Sequence, residues 1–534
     1  MTTPNEHDAS GSASTEAANS ILRPFRNTVF AVLWIATVVS NVGTWMQNAA
    51  AGWLMTGLSP DPLIVALVQV ATSLPMFLFA MPAGALADVV DRRRLLIAMQ
   101  VISTVIIVIL SWLVWAERVT PIVLLVFTFL IGATAAMIAP AWQAIVPQLV
   151  PRDELAPAVA LNSVGLIVCR AVGPALAGLI FGAMRLAAPF WLNAVSNLGV
   201  IAALLWWRQT ATAAQPLPAE RIGAAVRTGL RHARHNPHLR ATLIRATGFF
   251  VSASAYWALL PLVARNQVAG GPELYGILLG AIGIGAVGGA FVLPRLKARL
   301  GPDRLVAAGS IGTAFALVLF GLARSPATAI VASVVAGISW IAVLATINVS
   351  AQVALPGWVR ARGLAVFVTV QFGAMTLGSV LWGQAAAIVG LGTAHFAAAA
   401  ALLLAIVPLR RWKLQTGAGA DLTPSMHWPV PIVAREIEHD RGPVLITVEY
   451  RVRPEDRSAF MQALERFAPE RRRDGAFDWP VYQDAADQAC FVETFKVDSW
   501  LEHLRQHQRV TNADRILQED VHRFQAGGAP DVRT

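Results

Sequence analysis

Polar and charged positions in this chain fall in short clusters separated by long apolar runs. Twelve runs are long enough to cross ~30 Å of hydrocarbon as helices of ~20 residues. They lie near 27–53, 62–87, 95–115, 120–141, 158–182, 187–207, 242–264, 273–294, 304–323, 326–353, 363–388 and 393–410. Inside them the few polar residues recur at helical steps. Thr37, Asn41, Thr44, Trp45 and Asn48 share a face of the first run, and Gln69 and Ser73 share one of the second. With Tyr256 and Trp257 on the seventh run and Gln371 on the eleventh, these stripes predict a wet central cavity built from both halves.

Beyond Lys413 the pattern changes. A polar linker with Pro424, Pro429 and Pro431 leads to Val444–Tyr450, which alternates like a strand, and to Glu455–Phe467, which has a helical apolar period. Phe477–Tyr482 and Phe491–Val497 read as two more strands, and Asp498 as the cap of a helix holding Trp500, Leu501 and Leu504. The order β-α-β-β-α predicts a small ferredoxin-like domain. The expected fold class is therefore an all-α membrane protein of twelve transmembrane helices in two six-helix bundles, with a small cytosolic α+β domain. The expected boundaries are 1–24 for a disordered cytosolic leader, 25–207 for the N-terminal bundle, 208–241 for a cytoplasmic linker, 242–413 for the C-terminal bundle, 414–442 for a second linker and 443–526 for the soluble domain. The leader has neither the apolar core nor the basic start of a cleaved signal peptide.

Composition agrees: of 534 residues 56% are hydrophobic and 14% charged, with a mean hydropathy of +0.56. The net charge of +10 would suggest nucleic acid if it were spread evenly. Instead, 27 Lys and Arg face 12 Asp and Glu up to Lys413, and 15 face 20 beyond it. The basic excess belongs to membrane loops, so no nucleic-acid partner is expected. Threading the runs alternately through a bilayer puts Arg23, Arg26, Arg92–Arg94, Arg152, six linker arginines, Arg295, Lys297, Arg299, Arg304, Arg360, Arg362, Arg410, Arg411 and Lys413 on one side. Only Arg118, Arg185, Arg265 and Arg324 fall on the other, which predicts an inner (plasma) membrane protein with both termini cytoplasmic. Cys169 and Cys490 are too far apart in the chain to form a disulfide framework.

The turn after the second run, GALADVVDRRR, puts an acid and three arginines in water between apolar runs, where small residues would let helices approach and the arginines would meet anionic lipid. Gly84, Leu86, Asp88, Arg92 and Arg93 closely resemble the signature loop of the major facilitator superfamily, with Val89 in place of a basic residue and Asp91 in place of a second glycine. After the fourth run, Pro140, Trp142, Pro147, Leu149, Val150, Pro151, Leu155 and Leu161-Asn162-Ser163 resemble the transmembrane secretion effector group of that superfamily, which includes enterobactin exporters and macrolide efflux proteins. The resemblance implies export of small molecules by alternating access. The two halves echo each other, since the stretches from Trp142 and from Asn348 both place a Gln, a proline and basic residues before a small-residue helix.

Arg170 lies about 18 Å into the fifth run, near the bilayer midplane, and an intramembrane cation is a functional candidate by default. It either meets an anionic or catecholate-like substrate or bonds backbone carbonyls and joins two helices. No carboxylate occurs between Glu154 and Glu220, or between Asp303 and Asp421, so no buried acid is expected to pair with it. Gly173, Pro174 and Gly178 follow and resemble the proline-containing fifth-helix motif of superfamily exporters, which implies a flexible gating helix. Asp88 is the remaining candidate for coupling, or for latching a gate against Arg360 or Arg362. The tail resembles antibiotic-biosynthesis monooxygenase domains, which implies a homodimer through this domain. His503 and His507 lie one helical turn apart with no third ligand, so no metal and no cofactor are expected. Export of a siderophore- or antibiotic-class natural product is the expected function. A lysophospholipid or other lipid transporter, and a transporter fused to a cofactor-free oxidising enzyme domain, stay open as alternatives.

Overall fold

A computed structural model describes residues 22–183, 186–208, 222–415, 421, 423, 425 and 441–533. The leader up to 21 and much of both expected linkers lie outside the described residues. Helices α1 (Thr28–Leu58), α2 (Pro62–Val89), α3 (Arg92–Trp115), α4 (Pro121–Leu149), α5 (Leu155–Ala183) and α6 (Ala188–Trp206) follow from the first six apolar runs. A short helix α7 (Ile222–His235) precedes α8 (Pro237–Leu262), α9 (Pro272–Leu322), α10 (Pro326–Val353), α11 (Arg360–Val389) and α12 (Leu391–Leu409). Among the described residues, eleven helices are long and apolar enough to cross a membrane. The eighth and ninth runs fall on the 51-residue α9, whose helical backbone is interrupted at Gly301 (φ 70°, ψ 170°), a conformation that favours glycine.

The helix starts are written locally. Asn27, Asp61, Asp91 and Thr120 each accept a hydrogen bond from a first-turn amide, and Pro62, Pro121 and Pro272 stand at first helical positions.

The chain divides into two compact units, one of residues 1–220, 245–347 and 368–411, the other of 221–244, 348–367 and 412–534. In the first, polar pairs join neighbouring helices. Ser40 Oγ donates to Asn197 Oδ1 at 2.6 Å, and Asn193 Nδ2 donates to Gln47 Oε1 at 2.6 Å, tying α1 to α6. Ser73, expected to line the cavity, shares a 2.8 Å hydrogen bond with Thr376 of α11.

The signature turn departs from expectation. A Cβ added at Gly84 meets nothing within 4 Å, so no close helix approach occurs there. Arg92 and Arg93, expected to meet lipid, point at backbone carbonyls. Arg92 Nε donates to Ala87 O in the last turn of α2 at 3.3 Å and its Nη1 to Ala144 O of α4 at 3.3 Å, and Arg93 donates to Leu204 O at 2.8 Å and Leu205 O at 3.0 Å at the end of α6. Carbonyls at a helix C-terminus lack intrahelical partners and carry negative partial charge, which is why guanidinium groups settle on them. The side chain of Asp88 lies outside the described residues.

The second unit holds a four-stranded antiparallel sheet. Strands β1 (Val444–Arg451), β2 (Val481–Gln483), β3 (Cys490–Val497) and β4 (Asp531–Arg533) take the order β2-β3-β1-β4. Helices α13 (Arg457–Arg473), α14 (Trp500–Arg509) and α15 (Asn512–His522) complete it. The fourth strand was not expected, because three exposed residues carry no alternating pattern. Phe477 makes only an isolated bridge to Lys496, and Ser499 rather than Asp498 caps α14 by accepting from Glu502 N. The core packs Ile446, Val448 and Tyr450 of β1 on Phe460, Leu464 and Phe467 of α13. Glu493, 0% exposed, accepts from Tyr450 Oη at 2.9 Å, Arg471 Nε at 3.0 Å and Trp479 Nε1 at 2.8 Å, which satisfies a carboxylate buried in the strand.

Candidate functional site

A cavity of about 260 Å³ lies inside the first unit, and both halves of the bundle line it. From the N-terminal half come Trp45, Asn48, Gln69, Thr72, Arg170 and Pro174; from the C-terminal half come Trp257, Tyr275, Trp340, Gln371, Phe372 and Met375. Helical geometry explains who arrives. Positions 45 and 48 share the cavity face of α1, while 40, 44 and 47 turn toward α6. Asn41 sits one turn from Trp45 and is not among the lining residues.

Among the described residues, Arg170 is the only charged side chain lining the cavity, and no acid comes within ion-pair distance of it. Its guanidinium carbon lies 5.2 Å from the ring centre of Trp45, 4.8 Å from that of Trp257 and 5.5 Å from that of Trp340. Three electron-rich faces thus stand where a carboxylate would in an ordinary ion pair. Such contacts stabilise a cation without neutralising it, so the net positive charge stays in the cavity. Pro174 cannot donate to the carbonyl four residues earlier, which frees the backbone oxygen of Arg170 from the helical ladder.

Tyr256 and Trp257 separate by one helical step. Trp257 faces the cavity, whereas Tyr256, 0% exposed, packs on Phe320 with ring centres 6.1 Å apart. Trp340 and Tyr275 escaped the sequence reading because neither belongs to a polar stripe. An aromatic residue in an apolar helix looks like core or an interfacial anchor until its neighbours are known.

Gly173 lets α5 approach α1: an added Cβ would lie 2.5 Å from Trp45 Cβ and 2.9 Å from Val42 O. At the end of the cavity nearer the α1–α2 turn the two halves meet closely. Arg265 Nη1 donates to Thr56 Oγ1 at 3.0 Å, Trp53 stacks on Tyr275 at 6.0 Å, and a Cβ at Gly276 would lie 2.6 Å from Gly178 Cα.

Of the remaining expected positions, Arg360 reaches its own loop through Leu355 O at 3.5 Å, and Arg362 lies beside Gly229 of α7. His503 and His507 stack edge to face at 4.9 Å, and burial together with His507 pushes His503 down to about 4. Among the described residues no three His, Cys, Asp or Glu side chains are grouped to hold a metal.

A multi-span helical bundle with a two-sided central cavity is the architecture of a major facilitator superfamily transporter. Solved structures agree on the fold: a bacterial homolog of the human lysosomal transporter Spinster gives a TM-score of 0.58 at 15% identity, covering 73% of this chain and 97% of that one. A POT family transporter gives 0.59 at 12% identity, covering 71% and 95%. The profile of the transmembrane secretion effector family matches residues 19–534, and the chain belongs to that family. Relatives include the staphyloferrin A transporter of Staphylococcus aureus (strain NCTC 8325 / PS 47), 27% identical over 49% of this chain and 65% of its own length. Macrolide efflux protein A of Streptococcus pyogenes is 21% identical over 46% and 60%. Enterobactin exporter EntS of Shigella boydii serotype 4 (strain Sb227) is 25% identical over 55% and 70%. The chain thus spans less than two thirds of the length of the first two of these relatives.

Proposed function

We propose that this protein exports a small anionic natural product across the inner membrane by alternating access, with Arg170 as the substrate's charge contact. The observation that carries this is a cavity lined, among the described residues, by no acid and by one cation, which tryptophans surround. A cation left uncompensated in a low-dielectric site favours an anionic guest, and flat aromatic walls favour a planar one. The names of the relatives, a staphyloferrin A transporter, an enterobactin exporter and a macrolide efflux protein, fit efflux of small natural products. Trp45, Asn48, Gln69, Trp257, Trp340 and Gln371 complete the binding surface in this reading, Asn41 and Tyr256 support it from behind, and Gly173 and Pro174 let α5 bend. Counting α9 as two crossings on either side of Gly301 gives twelve spans, and the positive-inside bias puts both termini in the cytoplasm. In this reading the close contacts between halves near the α1–α2 turn lie on the outer side of the membrane. The tail, with sheet order β2-β3-β1-β4, supports a ferredoxin-like module that regulates or pairs chains and is not an enzyme.

The test compares the small molecules of spent medium from cells with and without the protein, in low iron, by untargeted mass spectrometry. One anionic metabolite is expected to leave the medium and build up in the cells when the protein is absent. Arg170→Ala and Arg170→Lys are expected to reproduce that loss with normal membrane insertion, since Lys keeps the charge but not the planar fork. Unchanged medium with a shifted membrane lipid composition would replace this reading with lipid transport.

A further inference from the structure

The second compact unit contains more than the tail. Residues 221–244 and 348–367, which hold α7, the start of α8, the end of α10, the α10–α11 loop and the start of α11, belong to the same unit as the C-terminal domain. The contacts that join them are specific. Arg509 of α14 places its guanidinium carbon 4.4 Å from the ring centre of Trp358 in the α10–α11 loop. The same guanidinium donates to Glu502 Oε1 at 2.6 Å, and that oxygen also accepts from Arg231 of α7 at 3.2 Å. The next residue of α7, His232, closes the ring by standing edge-on to Trp358 with ring centres 5.7 Å apart. Beside it, Asn236 caps α8 through Oδ1 and donates from Nδ2 to Ala354 O at 2.8 Å, tying α8 to the end of α10.

Arg509, Glu502 and His232 are 5%, 7% and 0% exposed, so this network sits away from water. A buried ion pair of this kind is costly to break, because whichever charge is left behind stays desolvated. The ring therefore behaves as one piece: it moves as a body or it comes apart. Three bundle helices, α8, α10 and α11, run into it.

We propose that the C-terminal domain is a conformational clamp on its own transporter: by gripping Trp358 and α7 through Arg509 and Glu502, it holds the ends of α8, α10 and α11 together and biases the bundle toward the state seen here. The proposal rests on the alternating-access reading, and the Arg170 experiment tests that reading independently. It gives the tail a task that needs no second substrate and no catalytic group.

The test is hydrogen exchange by mass spectrometry on the full chain in lipid nanodiscs. The readouts are residues 348–362, next to the clamp, and residues 55–65 and 263–272, at the far end of the cavity. Arg509→Ala is expected to speed exchange at least threefold in the near segment and to change it at least threefold in both far segments. Arg523→Ala, which removes an exposed arginine paired with Asp520 on the same domain, is expected to change neither. Because Arg509→Ala could unfold the tail, a second variant acts in the opposite sense. A Cβ at Gly229 would lie 3.3 Å from Arg362 Cβ, close to disulfide geometry. Gly229→Cys with Arg362→Cys, oxidised, is expected to slow exchange at the far segments, and dithiothreitol to restore it. Changes confined to 348–362, or far segments that respond to neither variant, would overturn the proposal.

Discussion

After α4 and after α10 the chain runs through similar stretches, Trp142 to Leu161 and Asn348 to Phe367, and the two are held by different physics. In the first, Ile145, Val146, Leu149, Val150, Ala158 and Leu161 join one apolar core with Phe30, Leu33 and Leu204. The last carbonyl of α4 is met by Asn27 Nδ2 at 2.7 Å. The N-terminal half thus secures its own turn with aliphatic packing and a helix cap. In the second stretch, Trp358 lies between a histidine and an arginine, and that arginine is fixed by a carboxylate shared with α7. Aliphatic packing is non-directional and tolerates small shifts, whereas a buried charge ring is directional and opens all at once. Two stretches of similar sequence thus give one half a turn held by its own core and the other a turn packed in one unit with the C-terminal domain.

The largest effect is expected where the ring is cut at its shared carboxylate. Glu502→Ala leaves Arg509 and Arg231 without their buried partner, and the C-terminal domain should lose about 3–5 kcal/mol by denaturant unfolding of the full chain. Burial works against the ionised form of Glu502, but Arg509 and Arg231 overcome it and hold the carboxyl below its ordinary range. That contribution is present above the unfolded-state value and fades as pH falls through the lowered folded-state value. A loss well under 1 kcal/mol would mean the ring does not secure the loop.

Next comes the autonomous turn. Ile145→Ala, at a position 0% exposed, should cost about 2–4 kcal/mol in detergent-solubilised unfolding and leave exchange in residues 348–362 unaltered. A response there would erase the contrast between the two stretches. Trp358→Leu keeps apolar bulk and removes the π-face from Arg509, so about 1 kcal/mol is expected, with faster exchange near the loop.

The smallest effect is a change of slope with pH. Burial, against the pull of Arg473, raises Glu470 to about 7 from 4.5. The folded domain then holds a proton that the unfolded chain releases between those values, so Glu470 costs stability as pH rises from about 4.5 to 7. His232, held near 3 by burial and by Arg473, works the other way, losing stability as pH falls below 6.5. Glu470→Gln should remove the fall in melting temperature between about pH 4.5 and 7 and leave the slope above pH 7 unchanged.

Much of the bundle was legible because bilayer physics leaves few options. Apolar runs of the required length must become helices, and Asn27, Asp61, Asp91 and Thr120 announce their starts. Asn48, Gln69, Arg170 and Gln371 could be anticipated at the cavity, since polar atoms in an apolar run need a wet or bonded destination. Ser73 and Tyr256 took the bonded or packed option, and a stripe cannot say which of its members will do so.

The amino-acid order by itself determined the helices, their polarity, the basic bias of one set of turns, the intramembrane cation at position 170 and the change of character after Lys413, because each follows from local composition and period. Only the tertiary structure decided that Trp45, Trp257 and Trp340 gather around Arg170, that Arg92 and Arg93 cap helix ends, and that α7, the α10–α11 loop and the C-terminal domain form one unit. Those are contacts between segments tens to hundreds of residues apart. An aromatic ring or a guanidinium has many acceptable partners, and packing geometry alone selects among them.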